Sequence, residues 1–97
     1  MPRKRYDDEL LWRLRNHIPI DRLIRHLGWP HKRRDGQFVF VCPRCGESRS
    51  DVNRRTNLGR CFCCETNFNP IDFTMCACQW EFVTTVEFLT PLLPPST

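Results

Sequence analysis

The stretch Cys42-Pro43-Arg44-Cys45, followed after fifteen residues by Cys61-Phe62-Cys63-Cys64, decides how the rest of the chain is read. Taken as Cys42, Cys45, Cys61 and Cys64, it is C-x2-C-x15-C-x2-C, a spacing that points to a metal site. Two residues between cysteines let a tight turn aim both sulfurs at one ion. Two such turns facing each other set four thiolates at tetrahedral angles, which suits one structural Zn²⁺ with no coordination position open. A closed site of this kind builds structure and does not catalyse. Cys63 lies inside the second pair, and a Cys61–Cys63 pairing is the more strained option. Cys76 and Cys78 sit two apart on an expected helix and point to different faces, so they read as small apolar filler. A second metal or an iron–sulfur cluster is the other reading of these two.

Gln37-Phe38-Val39-Phe40-Val41 leads into the first pair and reads as a strand by its β-branched and aromatic content. Both of its faces are apolar, Phe38 and Phe40 on one and Val39 and Val41 on the other. It is either a covered central strand or a presenter of aromatic rings. Before it, His31-Lys32-Arg33-Arg34-Asp35-Gly36 reads as a basic turn. Between the pairs, a short strand over residues 51–53, a turn at Arg54-Arg55-Thr56-Asn57 and a strand over 58–62 make a hairpin. Gly59 within it suggests a bulge or the close approach of a ligand. The expected core is thus a zinc ribbon, a three-stranded antiparallel sheet clamped by metal at one end.

Helices flank it. Residues 7–16 place acids first and a Leu10, Leu11, Leu14 stripe after them. Ile20, Leu23, Ile24 and Leu27 follow at i, i+3, i+4, i+7, with Gly28 as the stop. His26 on this helix reads as a surface or core-edge residue. Asn69-Pro70 caps and opens a third helix, and a fourth runs from about residue 81 to 90. The fold class is small α+β in a single domain: a basic tail and helix over 1–17, the ribbon unit over 18–90 and a tail over 91–97.

The chain has 97 residues and a net charge of +4. A chain this short buries a limited apolar core, and a metal staple supplements it. In zinc-finger peptides the metal contributes roughly 10–16 kcal/mol, so its removal is expected to unfold at least the middle of the chain. All fifteen basic residues lie at or before Arg60, where seven acids leave +8, and residues 61–97 carry −4. Four thiolates with one Zn²⁺ lower the total to about +2. The N-terminal residues lack the apolar run of a signal peptide, and no stretch is long enough to span a membrane. A reducing, cytoplasmic setting is expected, where paired cysteines mean metal more often than disulfides.

The order of motifs resembles the zinc-binding domain of bacterial and phage DNA primases. The resemblance is carried by Ile20-Asp21-Arg22-Leu23-Ile24, Cys42-Pro43-Arg44-Cys45 with Glu47, Cys61-Phe62-Cys63-Cys64, Asn69-Pro70-Ile71-Asp72-Phe73 and residues 81–89, covering about 18–90. It implies binding of single-stranded DNA and a part in template recognition during primer synthesis. Departures are Cys45 where bacterial members have His, Arg49-Ser50-Asp51-Val52 in place of a Thr-Pro-Ser-Phe-like stretch, and missing glycines after the second pair. The sequence ends where the family's catalytic domain would begin. It is therefore expected to act without polymerising, as an accessory to a separate primase, polymerase or helicase or as part of a mobile element.

Phosphate contacts need Arg or Lys on one face, and single strands add stacking on aromatic rings. The candidates are Lys32, Arg33, Arg34, Arg44, Arg49, Arg54, Arg55 and Arg60, with Phe38, Phe40 and Phe62 as stacking residues. Arg54, Arg55 and Arg60 share one hairpin and are expected to cluster. The bland readings are solvated charges and core phenylalanines. The competing function is a protein-interaction ribbon that docks on a replication or transcription protein. An enzyme reading has no open ligand set or catalytic triad behind it.

Overall fold

Two short helices precede the sheet in the computed structural model, which describes residues 6–94; Arg3, Lys4 and Arg5 of the basic tail and residues 95–97 lie outside them. The first helix, α1 (Asp8–Asn16), is capped by Asp7, whose carboxylate accepts the Glu9 N–H at 3.0 Å. The second, α2 (Ile20–His26), buries Ile20, Leu23 and Ile24 as its periodicity requires. Gly28 ends it at φ 67°, and the Gly28 and Trp29 amides close back on the Arg25 and Ile24 carbonyls. The Trp29 indole then donates to the Val41 carbonyl at 2.7 Å, tying the helix end to the sheet.

The sheet has five antiparallel strands in sequence order: β1 (His31–Arg34), β2 (Gln37–Phe40), β3 (Ser50–Asn53), β4 (Leu58–Cys61) and β5 (Thr66–Phe68). The expected three-stranded ribbon is β2 to β4, and one further strand lies on each edge. His31-Lys32-Arg33-Arg34, expected as a turn, is the edge strand β1. All four of its residues are exposed, so no apolar alternation marks it, and its charges guard a sheet edge. The turn is only Asp35-Gly36, with φ 51° and 79°, the two left-handed residues of a tight hairpin. β5 follows Glu65, which takes φ 54° where a glycine would be unstrained.

One sheet face is covered. Phe38, Phe40, Val52, Cys61 and Phe68 pack there with Ile20 and Ile24 of α2 and Phe73 of the third helix. Gly59 belongs to this face and forms no bulge, because it pairs in register with Val52 and Phe68. Its missing side chain makes room for Phe40: a Cβ there would lie 2.7 Å from the Phe40 ring.

The third helix, α3 (Pro70–Cys78), starts as expected, with the Asn69 side chain accepting the Asp72 N–H at 2.8 Å. α4 (Phe82–Leu89) follows and runs into a 3₁₀ turn, Thr90–Leu92. A second buried cluster, Leu14, Ile18, Leu23, Ile71, Val86 and Leu89, joins the four helices to one another. The architecture is the small α+β fold expected, with four helices and an antiparallel sheet. Among the described residues no helix is long and apolar enough to cross a membrane.

Candidate metal centre and open sheet face

Two tight turns bring the four paired cysteines together at one end of the sheet. Cys42 leaves β2 and enters a turn closed by its own N–H on the Glu47 carbonyl (2.8 Å) and by the Gly46 N–H on its carbonyl (2.9 Å). Cys61 is the last residue of β4, and Cys64 lies in the turn before β5. The sulfurs of Cys42 and Cys64 are 3.7 Å apart and those of Cys45 and Cys61 3.5 Å. All four lie within 4.8 Å of one another. A tetrahedron of sulfurs about 2.3 Å from a central Zn²⁺ has edges of about 3.8 Å, so this cluster has the size to hold one metal ion. Cys63, inside the second pair, is exposed and outside the cluster.

The backbone treats these sulfurs as acceptors. The Arg44 and Cys45 amides both point at the Cys42 sulfur at 3.4 Å, and the Cys64 amide points at Cys61 at 3.5 Å. Such N–H groups favour thiolates over thiols. Without a cation the four thiols cannot ionise together. Burial pushes Cys42 up despite the amides aimed at it. Burial also opposes ionisation of Cys61, but the Cys64 amide and the Ser50 hydroxyl outweigh it and lower that thiol to about 6. The Glu47 backbone favours the Cys45 thiolate, yet desolvation and the neighbouring sulfurs push it up to about 12. The Ser50 hydroxyl is buried directly opposite Cys61 in the ladder, with no nitrogen or oxygen partner among the described residues. A thiolate at Cys61 gives it an acceptor. A divalent cation removes the conflict among the four sulfurs. Cys76 and Cys78 are both half-buried, and burial raises both thiols. Neither joins the cluster, and Cys76 packs against the sheet core.

Among the described residues no helix covers the opposite sheet face. Across it run Lys32, Val39, Asp51, Arg60 and Asn67 as directly paired neighbours on five strands, with Arg34 beside Gln37 at one end. The Arg60 guanidinium donates to the Asn67 side chain at 3.3 Å and lies 5.7 Å from the centre of the Phe62 ring. Phe62 is 57% exposed. Phe38 and Phe40, weighed above as stacking residues, are 3% and 1% exposed and belong to the covered core. Side chains alternate along a strand, so the face that takes Phe38 and Phe40 inward turns Gln37 and Val39 outward.

The other basic candidates disperse. Arg44 sits at the metal end and donates to Thr66 at 3.3 Å. Arg49 precedes β3, and its carbonyl accepts the Phe62 N–H at 2.9 Å. The hairpin arginines do not form the expected group. Arg60 belongs to the open face, while Arg54 turns toward the helices and pairs with Asp21 at 3.2 Å. Arg55 is exposed in the turn, where its N–H caps on Asn53 at 3.0 Å. Arg33 pairs in register with buried Phe38 and so lies on the helix side of β1, away from Lys32 and Arg34.

One residue that sequence reasoning missed joins the β3–β4 turn to the helices. Asn57, at φ 57°, donates to the Arg15 and Ile18 carbonyls, both at 2.8 Å, and accepts the Ile20 N–H at 2.9 Å. It thereby ties the β3–β4 turn to the α1–α2 junction. The only sequence signal was an Asn in a turn, which explains its left-handed backbone and says nothing of its distant partners. Comparison of the chain with protein-family models and with curated proteins gives no match in either.

Proposed function

We propose that the chain is a zinc-ribbon module that binds single-stranded DNA on the open face of its sheet, as the resembled primase domains bind template. The observation that carries this reading is the exposed Phe62 ring with Arg60 against it, on the same helix-free face as Lys32 and Arg34. A base can stack on such a ring while guanidinium and ammonium groups meet the phosphates. Zinc is the metal this reading assigns to Cys42, Cys45, Cys61 and Cys64, since four thiolates in a tetrahedral cluster suit it and a reducing cytoplasm keeps them available. The ion supplies structure: four sulfur ligands leave it no position for substrate. The module acts by binding alone, as an accessory to a polymerase or helicase. The resemblance to primases rests on the motif strings, which here follow the order helix, strand, metal turn, hairpin, metal turn, capped helix.

The test is fluorescence anisotropy of a labelled oligothymidylate titrated with the zinc-loaded chain at several salt concentrations. The expected result is binding that weakens steeply as salt rises. Phe62→Ala should lower affinity by about 1–3 kcal/mol, the usual worth of one base–aromatic stack. Absence of salt-sensitive binding at low ionic strength overturns the reading and favours a protein partner.

A further inference from the structure

Two of the arginines absent from the open face, Arg33 and Arg54, meet two arginines of α2 elsewhere. A cleft of about 580 Å³ lies between α2 and the β3–β4 turn, lined by Arg22, Arg25, Arg33 and Arg54 together with Asp21 and Asn57. Arg22 and Arg25 are three residues apart on α2 and share a helix face. Their signal in the sequence was a basic pair on the polar side of the most regular helix. Arg33 reaches the cleft from the helix side of β1, and Arg54 comes from the turn.

Four guanidinium groups thus face a single carboxylate. That carboxylate is engaged: one Asp21 oxygen pairs with Arg54 at 3.2 Å and the other accepts the Arg22 backbone N–H at 2.9 Å. Among the described residues, no carboxylate pairs with the guanidinium groups of Arg22, Arg25 or Arg33. Like charges gathered in a concave site repel one another and raise the local concentration of anions. The cleft is also held in shape before any ligand arrives. Asn57 pins the turn to the start of α2 through its three hydrogen bonds, and Asp21 holds Arg54 in place.

The lining contains no aromatic side chain, so it offers a base nothing to stack on. Guanidinium forks instead match phosphate oxygens two at a time. We infer that this cleft is an anion site, separate from the open sheet face, that takes a group carrying several phosphate charges. Successive phosphodiesters of a nucleic-acid strand and the polyphosphate of a free nucleotide share that chemistry. The inference stands on the cleft's own residues and does not depend on DNA binding at the open face.

Isothermal titration of the full metal-loaded chain with inorganic tripolyphosphate at low salt tests it, with metal content measured after each titration. Saturable binding is expected in the wild type. R22Q/R25Q should weaken it about tenfold or more through the loss of charge-assisted hydrogen bonds. R33Q, on a different element, should weaken it in the same sense, so a local change in α2 cannot imitate the result. K32Q/R34Q on the open face should weaken it less than either cleft variant, because these side chains leave the opposite face of β1 and act on the cleft only through long-range charge. Lack of wild-type binding, or equal weakening by the cleft and open-face double variants, overturns the assignment. An oligothymidylate that displaces tripolyphosphate identifies a phosphodiester backbone as the occupant. One that binds alongside it identifies a free polyphosphate, and both of these results uphold the site.

Discussion

The two faces of the sheet are built from the same strands and have opposite chemistry. On the covered face, Phe40 and Phe68 meet Phe73 of α3 edge to face, with ring centres 5.6 and 6.2 Å apart, and Trp29 joins them at 5.9 Å. On the open face, Lys32, Arg34, Arg60 and Asn67 stand around half-buried Val39 and exposed Phe62. Alternate residues on one backbone therefore meet different surroundings, core on one side and solvent on the other. Substitutions on the covered face should cost stability, and substitutions on the open face should cost binding. The four-cysteine cluster lies at the end of the strands that serve both faces, so loss of a metal bound there should make both properties fail together.

Metal removal should have the largest effect. Structural zinc contributes roughly 10–16 kcal/mol in finger peptides, comparable to a domain's whole stability of about 5–15 kcal/mol. Chelation or Cys42→Ser should therefore abolish both the cooperative melt and oligonucleotide binding, as read by circular dichroism and anisotropy. Acidification acts in the same direction, because protons compete with the metal for thiolates and affinity falls as pH falls. Cys76→Ser should keep one metal per chain by native mass spectrometry, since Cys76 lies outside the cluster.

Next comes the covered face. Phe73 is fully buried among three aromatic rings, and Phe73→Ala should cost about 3–5 kcal/mol in denaturant unfolding. Gly59→Ala should cost about 1–3 kcal/mol, because its Cβ would lie 2.7 Å from the ring of buried Phe40, which must shift to admit it. An unchanged midpoint for Gly59→Ala would show that the ring yields, and that the covered face is less tightly packed than described.

The smallest stability effect belongs to the open face. Phe62→Ala should shift unfolding by less than about 0.5 kcal/mol, as exposed positions usually do, while lowering oligonucleotide affinity. That inversion relative to Phe73→Ala is the sharpest form of the comparison. A Phe62→Ala variant as unstable as Phe73→Ala would erase the distinction between the faces.

What the sequence disclosed follows the same division. The cysteine spacing, the α2 periodicity, the Gly28 stop and the Asn69-Pro70 start are local signals, and each marks a feature found in the structure. The edge strands were hidden because β1 is polar throughout and β5 is three residues long. The orientation of β2 could not be read from Phe38-Val39-Phe40-Val41, which is apolar on both sides; α2 and α3 decide it by covering the phenylalanines. The separation of Arg54 from Arg60, and the meeting of Arg22 with Arg33, depend on contacts between residues far apart in the chain. No local pattern encodes these, although the hydrogen bonds of Asn57 tie the Arg54 turn to the start of α2.

The most direct test of the open-face claim is a map of backbone amide chemical shifts in the zinc-loaded chain as an oligothymidylate is added. Shifts concentrated at residues 32–34, 37–39 and 60–62, with α1 and α4 unmoved, are the expected result. Shifts confined to the helical side, or none at concentrations where the oligonucleotide binds, would contradict that claim.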